Sequence, residues 1–385
     1  MNANEILCMI DESKIRELGA LHQIDQVNTK ITGEFILKVF VKGALEGYPM
    51  SLRSIEELCN NKQEISSLLK AKNSNKKSID HSSVGKRLKK MNVDFFKAIY
   101  EDIVIKYNEK FVSENIKDKF HRFDSTIIKL SGKLLKDGLN LGGKEVNRHI
   151  KMSIGLKNSI PSSVRFCSEQ KESSEDIALV NAINEAKVDH GEILLFDRGI
   201  AKCDSFRQFD KQEKYFITRV NVNRKYKPIK SNEIVKSADC QLDIRSDEIV
   251  QLYKKGGKLV KHNLRLIKAH NSASEELWFL TNVLYLSSED VANSYKKRWD
   301  IEVLFKFLKQ HLQFKKFINH TLNGMSIYIY CLLIAAILFT IYKITNKLKG
   351  YKIALLKFSL ELHKSIIKDI VLFCGGNPDL VELKL

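Results

Sequence analysis

The chain has 385 residues, 44% of them hydrophobic, which is enough for a substantial core and excludes a disordered polymer. Lysine and arginine number 64 against 46 aspartates and glutamates, a formal net charge of +18, so the favoured partner is a polyanion: nucleic acid or an anionic membrane surface. Cysteines at 8, 59, 167, 203, 240, 331 and 374 form no Cys-x-x-Cys pair and read as scattered, reduced thiols of a cytosolic protein, while the polar opening NANE is unlike a signal peptide.

Residues 1 to about 115 read as helical throughout. EILCMIDESKIRELGALHQI, GEFILKVFVKGALEG and SLRSIEELCN each carry apolar residues at spacings of three and four, and Gly47, Tyr48 and Pro49 separate the second from the third. Asp80, Ser82 and Ser83 offer N-caps to a short helix crowded with Lys86, Arg87, Lys89 and Lys90, whose Val84, Leu88 and Met91 are spaced to pack inward. This segment is either the DNA-reading half of a helix-turn-helix or an ordinary solvated basic helix.

From about residue 119 the pattern changes to strands. KFHRFDSTIIKL, RHIKMSIGL and SSVRFCSEQ read as three successive strands, with a turn near Pro161 between the last two. SSEDIALVNAINEA is a helix with Ser174 placed to cap it, and GEILLFDRGI is a continuous apolar run of the kind buried on both faces of a sheet. A mixed α/β core follows. Between 215 and 285, YFITRVNV, QLDIRS, IVQLY, KLVKHNLRLIKAH and LWFLTNVL are strand-like, with Gly256-Gly257 suited to a hairpin. They read as a β-rich insertion, made basic by Lys225, Lys227, Lys230, Lys254, Lys255, Lys258 and Lys261.

The last third returns to helix. Ser287 with Asp290 resembles a capping box, and helical periodicity continues to about residue 312. Met325 to Tyr342 carries no charge and approaches the length of a bilayer span; its serine, threonine and tyrosines also suit a helix buried in a large core, which is the reading adopted here. The resulting division is a helical N-terminal domain at 1–115, a first core segment at 116–214, the insertion at 215–285, core helices at 286–346 and a helical tail at 347–385.

Tyr295, Arg298, Glu302 and Lys309 are separated by three, four and seven residues, and on one helix they fall within an arc of roughly 60°. The rest of that helix is largely apolar and includes Trp299, assigned to the core. An acid, a phenol and two cations on a narrow stripe suggest a site; the plain alternative is an exposed edge with an Arg298–Glu302 pair. Asp124 interrupts a strand, where aspartate is disfavoured. Asp197 ends a buried strand, and ligands in open α/β sheets bind at the carboxyl ends of strands. Three converging carboxylates require neutralising cations. Oxygen donors without thiolate or histidine suit Mg²⁺ or Mn²⁺, and two such ions serve phosphodiester chemistry.

The spacing Tyr-x2-Arg-x3-Glu-x6-Lys, met by Tyr295, Arg298, Glu302 and Lys309, resembles the signature of IS4-type bacterial DDE transposases. Asp124 in FDST, Asp197 in FDRG and the β insertion extend the resemblance over roughly residues 80 to 345. It implies a ribonuclease-H-like core, nicking at the ends of an insertion sequence, strand transfer and often a DNA hairpin. Asp124, Asp197 and Glu302 then become the catalytic, metal-holding triad for two Mg²⁺ or Mn²⁺ ions. Arg298 and Lys309 become phosphate contacts, assisted by Tyr295. The implied partners are double-stranded DNA, as terminal inverted repeats and target, and a second protomer; no membrane is implied, and the location is the bacterial cytoplasm at the nucleoid. A non-catalytic DNA-binding protein derived from such an enzyme is the alternative. Little chain follows the apolar helix, so the C-terminal dimerisation region of some family members is expected to be reduced.

Other candidates carry less. His121 and His149 lack partners at ligand spacing, Ser125 and Thr126 lack a triad, Asp300 lies about 200° around the helix from Glu302, and no phosphate loop is present.

Overall fold

The computed structural model describes residues 1–26, 31–47, 50–60, 79–112, 118–129, 139–140, 148–167, 169–234, 242–312, 314 and 321–380. The chain divides into two compact units that do not follow chain order: Met1–Asn115 groups with Phe305–Leu385, and Ile116–Gly132 groups with Gly138–Leu304.

The first unit is helical in its described residues. The first periodic stretch makes two helices, α1 (Ala3–Leu7) and α2 (Glu12–Leu21), because the Asp11 carboxylate accepts the Ser13 N–H and starts a new helix. α3 (Gly33–Glu46) ends at Gly47, whose φ of 72° supplies the left-handed cap. α4 (Leu52–Asn60) packs on α5 (His81–Lys90), with 61–78 between them outside the described residues. Of the three cap candidates for α5, Asp80 is the one used, accepting the Ser82 N–H at 3.0 Å. α6 (Val93–Phe111) follows.

The uncharged segment lies within α11 (Leu322–Thr345), where every residue from Gly324 to Phe339 is buried. The helix is long and apolar enough to cross a bilayer, yet 94% of its most apolar window is covered by protein. It packs on α3, α5, α6 and α12 (Tyr351–Phe373). Phe40 meets Tyr328 edge-on, Phe358 meets Tyr342 edge-on, and the Tyr342 hydroxyl donates to Glu361 at 2.7 Å. Asn323 at the helix start donates to the Leu88 and Met91 carbonyls at 2.9 and 2.8 Å, satisfying the end of α5.

The second unit is built on one ten-stranded sheet, ordered β2-β3-β1-β5-β6-β10-β9-β8-β7, with β4 also paired to β3. Its strands are β1 (Phe120–Lys129), β2 (Leu139–Asn140), β3 (Arg148–Lys157), β4 (Ile160–Cys167), β5 (Ile193–Phe196), β6 (Tyr215–Val220), β7 (Tyr226–Ser231), β8 (Asp243–Tyr253), β9 (Leu259–His270) and β10 (Glu276–Thr281). β1, β3 and β4 form an antiparallel meander, and β5 and β6 join β1 in parallel through α7 (Glu175–Glu185) and α8 (Cys203–Lys211). β10 pairs with β6, so β7 to β10 continue the same sheet.

Several local expectations are corrected. The β3–β4 turn lies at Asn158 and Ser159, with φ of 50° and 68°, as a two-residue hairpin of this twist requires. Pro161 sits inside edge strand β4, where no ladder donor is missed. Ser174 occupies the N-cap of α7 without a side-chain hydrogen bond. DIRS, the end of QLDIRS, and IVQLY are parts of one strand, β8, with a bulge near Ile244–Ser246. The long helix beginning at Ser287 is two helices, α9 (Ser288–Lys296) and α10 (Trp299–His311).

Candidate active site

The sheet register brings the two aspartates together. β1 and β5 run parallel, and the ladder ends with Phe123 beside Phe196, so Asp124 and Asp197 are the next residues on neighbouring strands. Around them the strands are apolar: Phe123, Leu194, Leu195 and Phe196 are fully buried. Beyond the last pair, β1 runs on while β5 stops. Thr218 on β6 fixes that stop, its hydroxyl facing the carbonyls of Phe196 and Asp197 at 3.0 and 2.9 Å. Asp197 Oδ1 then accepts the Gly199 N–H at 2.9 Å, and Asp176 on α7 accepts the N–H groups of Ala201 and Lys202 at 2.7 and 2.8 Å. The loop after Asp197 is therefore held at both ends.

Glu302 comes from α10. The break before that helix is a tight turn, in which the N–H groups of Lys297, Arg298, Asp300 and Ile301 each reach back three residues. Tyr295 closes α9, Arg298 lies in the turn, and Glu302 and Lys309 lie on α10. The single-helix arc expected from the spacing is replaced by a helix–turn–helix step that still directs Tyr295, Arg298 and Glu302 to one cleft. Buried Arg122 holds the step by donating to the Lys297 carbonyl at 2.8 Å and pairing with Asp300 at 3.0 Å. Asp300 thus points away from the site, as expected. Trp299 is a correction: the turn carries it outward, and it is 61% exposed rather than in the core.

Arg298 links the carboxylates. One guanidinium nitrogen lies 3.7 Å from Asp124 Oδ2 and another donates to Glu302 Oε1. The same guanidinium lies over the Tyr295 ring, 5.8 Å from its centre, and that ring packs on Phe279. Burial pushes the Asp124 carboxyl up to about 7, and the neighbouring Asp197 charge adds to the rise; the Ser125 N–H and Arg298 act against it. Burial raises the Tyr295 phenol to about 12, so it remains a proton donor. Both effects mark a place where negative charge is expensive and a cation is accepted.

These residues open into a cleft of about 1400 Å³, lined by Asp124, Asp197, Glu302, Tyr295 and Arg298. Its far walls carry Arg198, Arg219, Arg224, Lys225, Lys254 and Lys255. Lys225, Lys254 and Lys255 belong to the basic β-rich segment recognised in the sequence and lie in its loops, just before β7 and just after β8. Arg198, Arg219 and Arg224 were not singled out there, although an arginine interrupting the apolar strand YFITRV was a usable signal. Cations ringing a carboxylate centre suit a polyanion whose reacting group is held at the acids.

The remaining expected residues divide. Lys309 falls in the first compact unit, its ammonium over the Phe305 ring at 5.5 Å. Lys86, Lys89 and Lys90 are exposed on α5. Arg87 is used internally, donating to the carbonyls of Ile31 and Ile24 at 3.0 and 2.6 Å and to Asp25 at 2.6 Å. Among the described residues, one set of three metal-ligating side chains has its ligand atoms all within 4.8 Å of one another: Glu56, Asp80 and His81. It is a hydrogen-bonded cap, with His81 Nδ1 at 2.9 and 3.1 Å from the two carboxylates.

Comparison with known proteins supplies independent findings. Residues 123–338, more than half of the chain, match the family model described as the transposase DDE domain. A Synechocystis protein named as a transposase for insertion sequence element IS4SA is 26% identical over 271 residues, covering 70% of this chain and 73% of that protein. A Sinorhizobium fredii protein named as transposase y4zB is 24% identical over 172 residues, covering 45% of this chain and 48% of its own. A Geobacillus stearothermophilus protein named as a transposase for IS5377 is 24% identical over 177 residues, 46% of each chain. The last two alignments therefore span about half the length of those relatives. Among solved structures, the piggyBac transposase synaptic complex with hairpin DNA is similar in fold, with a TM-score of 0.50 at 8% identity, over 96% of this chain and 82% of that one.

Proposed function

The chain belongs to the transposase DDE-domain family, in agreement with the IS4-type resemblance, and we propose that it cuts and rejoins DNA at the ends of an insertion sequence. The observation that carries the reading is the register that sets Asp124 and Asp197 level on adjacent parallel strands, with Arg298 between Asp124 and Glu302. On this reading β4-β3-β1-β5-β6 is a ribonuclease-H-like core, and the helices of 1–115 form a DNA-binding domain.

The donor set fits a hard divalent ion: three carboxylates, no thiolate, and a cationic guanidinium already accepted beside two of them. Asp124, Asp197 and Glu302 would hold two Mg²⁺ or Mn²⁺ ions, which when bound supply an activated water or 3′-hydroxyl and stabilise the leaving oxygen. The chain's own side chains do the rest. Arg298, once its carboxylate partners have another cation, turns its fork to a phosphate next to the cut bond. Tyr295, kept protonated, donates a hydrogen bond there. Arg219 and Arg224 each have a buried Nε with no hydrogen-bond partner, and together with Lys225 they hold the flanking backbone. Synapsis of two ends calls for a homodimer, and the setting is the bacterial cytoplasm.

The test is Mg²⁺-dependent cleavage of a duplex bearing the element's own end sequence, wild type beside Glu302→Gln, with binding followed by gel shift. Cleavage should fall on the order of 10³-fold or more while binding persists. Equal cleavage by both proteins sinks the mechanism. Binding without cleavage by either protein points to a derived, non-catalytic DNA-binding protein.

A further inference from the structure

A fourth carboxylate stands behind the two aspartates. Glu175 is the first residue of α7 and is half-buried. Its Oε2 accepts the Ser125 hydroxyl at 2.9 Å, and the Ser125 N–H donates to Asp124 Oδ1 at 2.7 Å. One residue thus connects the two acids. The Ser125 hydroxyl also meets that of Ser153 on β3 at 2.8 Å, tying Glu175 into the β1–β3 ladder.

Glu175 also touches the loop that carries Asp197. A Cβ at Gly199 would lie 2.8 Å from Asp197 Oδ1 and 2.9 Å from both Cβ and Cγ of Glu175. The Asp197 carboxylate and the Glu175 stem therefore flank one gap, which glycine alone leaves open.

The other oxygen explains a buried lysine. Lys151, 1% exposed, places its ammonium 2.7 Å from Glu175 Oε1 and 2.8 Å from the Ser173 carbonyl. Burying an ammonium is costly unless a charged partner and further hydrogen bonds compensate it. A carboxylate in the first turn of a helix needs no such help, because the helix dipole already favours it. The lysine is better accounted for by the neighbouring aspartates: without it Glu175 would add an uncompensated charge to a site it is tied to through Ser125.

We infer that Glu175, with Lys151 as its buried counter-ion, is a positioning residue for the metal site, fixing the strand that bears Asp124 through Ser125 while the pair keeps the charge behind Asp124 and Asp197 balanced. This rests on the metal-triad reading above. Cations that enter the cleft are then held by the three carboxylates that line it, with Glu175 and its fixed ammonium setting the position and field behind them.

The experiment is Mn²⁺ binding to the full chain without DNA, followed by the electron paramagnetic resonance signal of free Mn²⁺. Glu175→Gln should weaken Mn²⁺ binding about tenfold, the size of effect seen when a group supporting a metal ligand is removed, with an unchanged circular dichroism spectrum. Glu175→Asp should recover part of the loss. Lys151→Met should act oppositely and tighten Mn²⁺ binding, because it leaves the Glu175 charge uncompensated. Asp197→Asn serves as the reference. If it abolishes Mn²⁺ binding while Glu175→Gln binds like wild type, Glu175 is a structural partner of Lys151 and this inference falls with the triad intact. If Asp197→Asn also binds like wild type, the metal-triad reading itself falls.

Discussion

The two units differ in how much charge they bury, although the helical unit also buries Lys42 in a pair with Glu46. In the helical unit the central helix α11 carries no charge along its buried length, and its neighbours meet it with aromatic and aliphatic side chains. In the sheet unit the interior holds Arg122, Lys151, Asp247 and Arg265, each less than a tenth exposed and each in an ion pair. Apolar burial stabilises without regard to direction, whereas buried charge must be matched atom by atom. The candidate chemistry lies in the unit that meets the second requirement more often. Stability and function should therefore separate under mutation, and each experiment below is a way to break that separation.

The largest expected stability effect is in the helical unit. Leu333→Ala removes a fully buried side chain from the middle of α11 and should cost about 2–5 kcal/mol, read as a lower midpoint in urea. Cleavage, measured well below the new melting temperature, should be retained. Glu302→Gln should do the reverse, because its carboxylate is half-buried and its partner Arg298 keeps Asp124. A Leu333→Ala protein that is stable but inactive would show that the two units are not separable.

A smaller effect has the unusual sign. The Asp124 carboxyl sits at about 7 in the fold against an ordinary value of 3.8. Its protonated form is therefore the one the fold prefers. Below pH 4 that preference contributes in full; as pH rises toward 7 the group ionises against burial, Asp197 and Glu175, with the Ser125 N–H and Arg298 too weak to offset them, and stability is lost. One pKa unit corresponds to about 1.4 kcal/mol, and water at this partly exposed group reduces the sum to about 1–2 kcal/mol. Asp124→Asn should accordingly match wild type near pH 4 and be more stable by that amount at pH 8 without metal. Adding Mg²⁺ should stabilise wild type and leave Asp124→Asn unmoved. A variant less stable than wild type at pH 8 would remove the idea that the site is strained by its own charge.

Much of the site was legible because its residues violate local rules. Asp124 inside a strand, Asp197 at the end of an apolar run and Glu302 on an apolar helix each stand out against their neighbours. The α/β pattern was legible for a related reason, since periods of two and of three to four differ within a few residues. Contacts between distant segments were not. Nothing local pairs Glu175 with Lys151, because both are ordinary surface residues by type and only the β1–β3 register and the start of α7 bring them together. The turn at Lys297–Arg298 was missed because it preserves helical spacing on either side while letting Trp299 swing out to solvent. The same limit hid the continuity of β6 with β10, since pairing across more than fifty residues leaves no mark on either strand alone.

The smallest expected effects are those of the lysines on α5, a helix that contains both kinds of cation. Lys86, Lys89 and Lys90 are exposed, and Val84 and Leu88 on the opposite face are fully buried. Arg87 lies between them but faces inward to Asp25 and two carbonyls. Replacing each lysine by alanine should change stability by less than about 0.5 kcal/mol. If the helix lies along DNA, each replacement should also lower the slope of log affinity against log salt by about one. Arg87→Ala should invert the pattern, costing about 1–3 kcal/mol of stability because Asp25 and two carbonyls lose their donor, with the salt slope unchanged in the folded protein. Gel shifts at several salt concentrations, beside urea melts of the same four variants, separate the cases. A slope unmoved by all three lysines would make α5 an ordinary solvated helix and leave DNA affinity to the cations of the cleft. A slope that falls with Arg87 as well would mean that its contacts to Asp25 open when DNA binds.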